Sequence, residues 1–291
     1  MDDSTESRAP LSDSGGVGQA GRVVSEHAQM RAYYEQGKER DRLAGPKGAL
    51  EFERTIEILQ RRMPPAPASV ADIGGGPGRY ALWLAELGYT VHHRDLMELH
   101  VAQLQALAIP SIQTAPGDAR CLDLPDSSVD AVLLLGPLYH LPEREDRIQA
   151  LREARRIVRA SGPIFIAAIS RWAPRLDGVL QEKLYEHNPR FLSLLPEVER
   201  TGQLPPVVPD GFVGYTHRPA GLVEEVSEAG LRVDDLVGVE GLPLAGTEMQ
   251  ARGGDRTAWN VLLDAARAVE RVPELLGLSP HLIATATRDP G

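Results

Sequence analysis

Residues 70–80 read Val-Ala-Asp-Ile-Gly-Gly-Gly-Pro-Gly-Arg-Tyr, a short apolar run that reaches one acid, Asp72, and then glycines at 74, 75, 76 and 78. A strand that ends in such a turn and passes into an amphipathic stretch brings bare backbone against a ligand, because glycine tolerates φ > 0 and has no side chain in the way. The helix N-terminus behind the turn adds free N–H groups and partial positive charge. The pattern predicts a cradle for a nucleotide-type cofactor. A dinucleotide site would need G-x-G-x-x-G/A with an acid about 20 residues later. Gly76-Pro77-Gly78-Arg79-Tyr80-Ala81 meets that pattern formally, with Asp95 as the acid. Asp72 argues for a different ligand. A carboxylate at the strand end repels a pyrophosphate, but it suits the sulfonium and ammonium of S-adenosylmethionine (SAM), which has no phosphate.

Further segments extend the pattern: Gly88-Tyr89-Thr90-Val91-His92-His93-Arg94-Asp95, Gly117-Asp118-Ala119-Arg120, the run 124–132 and Gly136-Pro137-Leu138-Tyr139-His140-Leu141. In this order and spacing, over residues 67 to 170, the chain resembles the class I SAM-dependent methyltransferases, and within them the group that methylates quinones and small metabolites. The resemblance implies a doubly wound, Rossmann-like α/β fold with a seven-stranded, mostly parallel sheet whose last strand is antiparallel. It implies that Asp72, Gly74, Gly76 and Gly78 hold the methionine end of SAM. Asp95, with Leu96 beside it, would take the ribose from a solvent-facing cleft. Asp118 and Ala119 would meet the adenine, and Leu135, Tyr139 and His140 would border the methyl. Read singly, Asp95 also fits a solvated loop acid, and Asp118 alone carries little information.

Methyl transfer from a sulfonium is an in-line displacement on carbon. The protein must align acceptor, methyl and sulfur, which contributes on the order of 7–11 kcal/mol. A base is needed only when the nucleophile carries a proton. His140 titrates in the right range for that role, or it orients a loop. Tyr139 reads as a wall or hydrogen-bond donor, since a free phenol titrates near ~10. Tyr33 and Tyr34 on an N-terminal helix either close over the cofactor or simply pack. His187, Tyr215 and His217 are candidate acceptor contacts, with packing or solvent exposure as the alternative. His92, His93 and His100 lack companions at ligand spacing, so no metal is expected.

Composition narrows the class. The chain has 291 residues, 42% apolar, with formal net charge −10 and a single cysteine, Cys121. No basic block offers a nucleic-acid surface, and the Leu135-Gly136-Pro137-Leu138-Tyr139 segment lacks the acid-or-Asn, Pro-Pro, aromatic signature of DNA amino-methyltransferases. No apolar run is long enough to span a membrane. One cysteine and a polar N-terminus without a signal core give the expectation of a protein of the reducing cytoplasm. Homo-oligomerisation is left open.

Five segments are expected. Residues 1–22 form a Ser/Gly/Asp-rich disordered tail, and 23–66 a helical segment (25–42 and 49–62) that closes the cofactor site. Residues 67–170 form the SAM-binding core, where strands and helices alternate. Residues 171–219, with six prolines, are too long for a plain connection and read as a partly helical substrate cap. Residues 220–291 return to the core sheet. The reading is a SAM-dependent methyltransferase acting on oxygen or nitrogen, less readily carbon, of a small molecule, with secondary metabolites as the leading class. The alternatives are an NAD(P)-dependent oxidoreductase, a peptide or protein methyltransferase, and a non-catalytic SAM-binding protein.

Overall fold

The computed structural model describes residues 46–206, 211–242 and 254–288. The expected tail 1–22, the helix 25–42 and the candidates Tyr33 and Tyr34 lie outside the described residues. The first described element is helix α1 (Pro46–Gln60). The core then alternates as the sequence requires: β1 (Ser69–Ile73), α2 (Arg79–Glu86), β2 (Thr90–Asp95), α3 (Glu98–Gln105), β3 (Ile112–Pro116), β4 (Ala131–Leu134), α4 (Arg144–Ile157) and β5 (Ile164–Ser170). Strands β1 to β5 pair in parallel in the order β3-β2-β1-β4-β5. Strand β9 (His281–Arg288) lies antiparallel on β5, and β8 (Leu231–Gly238) lies outside it. This is the seven-stranded Rossmann-like order with its last strand antiparallel.

Alternation along each strand sends side chains to two covered faces. On one face Ala71, Ile73, Val132, Leu134, Ile164, Ile166 and Ala168 pack against α4 and against α8 (Pro219–Glu228). On the other, Val70, Ala131, Leu133 and Phe165 pack against Leu59 of α1, Ala81 and Leu84 of α2 and Leu104 of α3. Ile58 of α1 continues that face over Ala167, Val237 and Ile283. Helix α9 (Arg256–Val269) holds α1 from outside through Leu50, Trp259, Leu262 and Leu263. Asp255 caps α9 by accepting from the N–H groups of Thr257 and Ala258.

Strand β4 stops at Leu134. The chain enters a 3-10 turn at Pro137–His140, where the proline ring ends the ladder. The segment after β5 carries helices α5 (Ala173–Leu180), α6 (Leu184–His187) and α7 (Phe191–Thr201), and also a hairpin of β6 (Gln203–Leu204) and β7 (Gly214–His217). Strand β7 returns to pair with the end of β5, Ile169 with Thr216 and Ser170 with His217. The insertion is therefore sewn into the carboxyl edge of the sheet. Among the described residues no helix is long and apolar enough to cross a membrane.

Candidate functional site

The site forms where β1, β2 and β4 end. Gly74, Gly76 and Gly78 have φ of 67°, 57° and 90°, the left-handed conformation that an L side chain resists. Gly75 is required for another reason. A Cβ there would stand 2.4 Å from Asp72 Oδ2 and 2.7 Å from His93 Cδ2, so the turn rests directly on these two side chains. Among the described residues, a Cβ on Gly76 would meet nothing within 4 Å. Among them the turn is packed beneath and open above, which is the shape a backbone cradle needs.

Asp72 is buried under this turn, and neither carboxyl oxygen has a hydrogen-bond partner among the described residues. Burial first, and then the charge of Asp95, push its carboxyl up to about 7, with the Ala81 backbone pulling the other way. Buried polar groups are normally paired, and this one lies beside an open face. The residues therefore fit a cationic ligand better than a phosphate.

Asp95 was expected at a solvent-facing cleft, and the structure corrects that. The residue is only 6% exposed. One oxygen accepts the Gly76 N–H at 2.8 Å; the other accepts the Met97 N–H at 2.8 Å and lies 3.1 Å from His100 Nδ1. Burial alone would raise its pKa, but His100 and the two backbone donors outweigh burial and hold it below the usual carboxylate range. Asp95 thus fixes the turn that the cofactor must meet. The physical reason is geometry at the strand end: the side chain is tied down between the Gly76 amide of the glycine turn and the Met97 amide just after β2.

Asp118 is partly exposed and clasped by its neighbour. The Arg120 N–H donates to it at 2.9 Å and the guanidinium at 2.7 and 3.0 Å, while Arg120 Nη1 reaches Asp146 at 3.0 Å. Ala119 is buried beside it, and Leu96 and Leu135 are half-buried. Tyr139 and His140 lie on the 3-10 turn after β4, where their rings stand 4.8 Å apart. Phe212 from the insertion joins them, 5.0 Å from His140 and 6.4 Å from Tyr139. The Tyr139 hydroxyl lies 3.7 Å from where a Cβ on Gly136 would sit, and the same point is 2.8 Å from the Gly74 carbonyl oxygen. The end of β4 and the glycine turn are therefore in direct contact.

The three insertion candidates separate. His187 is exposed at the end of α6. His217 is 1% exposed, inside the fold, with Nε2 3.0 Å from Glu225 and Nδ1 without a partner among the described residues. Glu225 also accepts two bonds from Arg147, at 2.9 and 2.6 Å. Tyr215 stacks under the Arg147 guanidinium, 3.5 Å from its ring centre. Tyr215 and His217 thus belong to an internal network joining β7, α4 and α8. Burial lowers the His217 pKa. Burial opposes ionisation of Glu225 as well, yet Arg147 and His217 hold it down at about 2.

Sequence reasoning missed His93, which it weighed only as a metal ligand. The ring is buried, with Nε2 3.0 Å from the Gly76 carbonyl and Nδ1 2.9 Å from Thr114 Oγ1. The readable signal was its spacing: two residues before Asp95 in a strand, it shares that acid's face. Phe212 had no signal in one dimension, since only the return of the insertion brings it to His140.

Comparison with known proteins bears on the family and the fold. Residues 71–166 match the methyltransferase domain family. A SAM-dependent methyltransferase from Thermotoga maritima, described as a possible histamine N-methyltransferase, superposes with a TM-score of 0.56 at 14% identity, covering 90% of this chain and 99% of that one. One from Methanosarcina mazei gives 0.55 at 17% identity, covering 79% and 96%. The [4+2]-cyclase SpnF gives 0.52 at 16% identity, covering 83% and 82%. With the family match spanning the glycine turn, the acid of β2 and the end of β4, the chain carries a class I SAM-dependent methyltransferase domain.

Proposed function

We propose that this protein transfers the methyl group of SAM to an oxygen or nitrogen of a small molecule, with secondary metabolites as the leading class and the cytoplasm as the place of action. One observation carries the cofactor half of this reading: the orphaned, buried Asp72 beneath a glycine turn that is open on its outer side. When bound, SAM supplies an activated methyl on a cationic sulfur. Asp72 and the turn at Gly74, Gly76 and Gly78 hold its methionine end. Asp95 serves the ribose and fixes Gly76, and Asp118 with Ala119 meets the adenine. Leu96 and Leu135 provide apolar walls.

Tyr139, His140 and Phe212 then wall the space beside the methyl, where their rings exclude water and narrow the approach of the nucleophile. In this reading His140 takes a proton from a hydroxyl or ammonium acceptor, or orients the loop where the acceptor carries none. Residues 171–219 act as the acceptor cap, 23–66 as the segment that closes the cofactor site, and 220–291 as the completion of the sheet. The formal charge of −10 supports a small-molecule acceptor over a nucleic acid.

Calorimetric titration with SAM, its demethylated product S-adenosylhomocysteine (SAH) and NAD tests the cofactor. One SAM or SAH per chain and no NAD is expected; NAD binding in their place would substitute the oxidoreductase reading. SpnF, by its name a cyclase, shares the fold. The rival reading of a SAM-binding protein without methyl transfer therefore predicts SAM binding with no SAH formed in the presence of any acceptor.

A further inference from the structure

Three consecutive residues of β2 hold the glycine turn, each by a different group. The Arg94 carbonyl accepts the Gly74 N–H at 2.7 Å. Asp95 Oδ2 accepts the Gly76 N–H at 2.8 Å, and His93 Nε2 stands 3.0 Å from the Gly76 carbonyl oxygen. The last two contacts grip both peptide groups that flank the Gly76 Cα. Fixing both planes fixes both backbone angles of a residue that sits at φ 57°. Among the described residues nothing lies within 4 Å of a Cβ placed at Gly76, so its conformation is set from beneath.

His93 belongs to a lateral row. Asp72 of β1 is in register with His93, and His93 with Thr114 of β3. Its Nδ1 stands 2.9 Å from Thr114 Oγ1, and the ring is fully buried. A carbonyl oxygen can only accept, so the nitrogen facing Gly76 must carry the hydrogen. In a neutral imidazole the other nitrogen is then an acceptor, and the Thr114 hydroxyl donates to it. Burial pushes the His93 pKa down against the pull of Asp95 and the Gly76 carbonyl, which keeps the ring neutral. The hydroxyl on β3 thus selects the tautomer that reaches the turn.

Glycines at 74, 75, 76 and 78 give this turn little stiffness of its own, because glycine has the most backbone freedom to lose. A turn left free would populate its binding conformation only part of the time, and apparent affinity falls by that fraction. A buried imidazole is costly unless both nitrogens are paired. Here one is paired to the turn and the other to the residue that fixes the tautomer.

We infer that His93 is a positioning residue for the cofactor: its Nε2–H holds the Gly76 carbonyl, and Thr114 holds the ring in the tautomer that can do so. Both act through Gly76, on the side of the turn away from the open face. The inference rests on reading the glycine turn as the seat of the methionine end of SAM.

The test is calorimetric titration of SAH into the full chain as wild type, His93→Gln and His93→Asn. Glutamine carries its amide nitrogen as many bonds from the backbone as Nε2, and asparagine as many as Nδ1. His93→Gln can therefore restore the bond to Gly76, whereas His93→Asn keeps only the contact with Thr114. The Gln variant should bind SAH within about twofold of wild type and the Asn variant about three- to tenfold more weakly. Stoichiometry reports the folded fraction and the dissociation constant reports the turn, so a merely structural loss would lower the first and leave the second unchanged. If His93→Asn fails to fold, Thr114→Val replaces it, with SAH weakened about two- to tenfold and recovered in Thr114→Ser. Nitrogen-labelled wild type should show, by NMR, a His93 ring protonated at Nε2 and bare at Nδ1. Equal SAH affinity in the Gln and Asn variants, or a ring protonated at Nδ1 alone, would overturn the inference. A wild type that binds no SAH would strike the reading of the turn itself, and the inference with it.

Discussion

Replacing Asp72 with Asn keeps the shape of the side chain and removes its titration. In the cofactor-free fold the carboxyl stands at about 7, against an ordinary aspartate value of 3.8. That difference of about three pH units, at ~1.36 kcal/mol each, corresponds to about 4 kcal/mol by which the ionised group destabilises the fold. The unfolded chain ionises near pH 4, whereas the folded chain keeps this proton until about pH 7. The penalty is therefore absent near pH 4, grows between the two values and is complete above 7. Asn carries no such penalty, so cofactor-free Asp72→Asn should be the more stable protein above pH 7, by up to about 4 kcal/mol, and equal to wild type near pH 4. Binding should move the opposite way. Losing a charge-assisted contact worth about 1.5–3 kcal/mol weakens SAM about ten- to hundredfold at pH 7.5. Below pH 7 the wild type itself should lose affinity, approaching tenfold per pH unit, because the Asp72 proton must leave first; the Asn variant should stay flat. Urea denaturation at pH 5.5, 7 and 8.5, with and without SAM, reads both effects. A cofactor-free Asn variant less stable than wild type at pH 8.5, or equal SAM affinities at pH 7.5, would refute the orphaned-carboxylate argument.

Other substitutions test neighbouring parts of the account. Asp95→Asn should lower both SAM affinity and stability, the latter by about 1–3 kcal/mol, because buried amide donors lose their carboxylate; a denaturation midpoint equal to wild type would contradict its role under Gly76. Gly76→Ala meets open space but keeps a positive φ, so chemical denaturation should show a cost of about 1–2 kcal/mol, alongside a larger loss in SAM titration. Glu225→Gln should cost about 3 kcal/mol at pH 7 in urea denaturation. Glu225 is held down at about 2, so that stabilisation is present above pH 4.5 and lost as pH falls toward 2, and the gap to wild type should close over that window. His140→Gln should lower kcat about 10²–10⁴-fold with SAM affinity intact if the histidine takes a proton; an unchanged kcat would leave it an orienter.

The core was legible in one dimension because its signals are local. The apolar run before Asp72, the glycines after it and the alternation from 67 to 170 each depend on neighbours in sequence, and strand order followed from the family resemblance. Local signals also located the glycine turn over Asp72, since a strand end, a left-handed backbone and a helix start lie within ten residues. Asp95 shows the limit. Its position was readable, but its exposure was not, because one of the two amides that tie it down, that of Gly76, belongs to a turn some twenty residues earlier. His217 looked like a cap residue from its place in the chain, yet β7 folds back onto β5 and seats it against Glu225.

The most direct test of methyl transfer to a small molecule is to follow labelled methyl from SAM. Purified protein is incubated with labelled SAM and an extract of the source cells, and label is measured separately in the low-mass and macromolecular fractions. The account predicts label in a discrete low-mass product, with SAH formed in equal amount and both lost in Asp72→Asn. Label confined to protein or nucleic acid would contradict it, as would bound SAM that yields no SAH in any fraction.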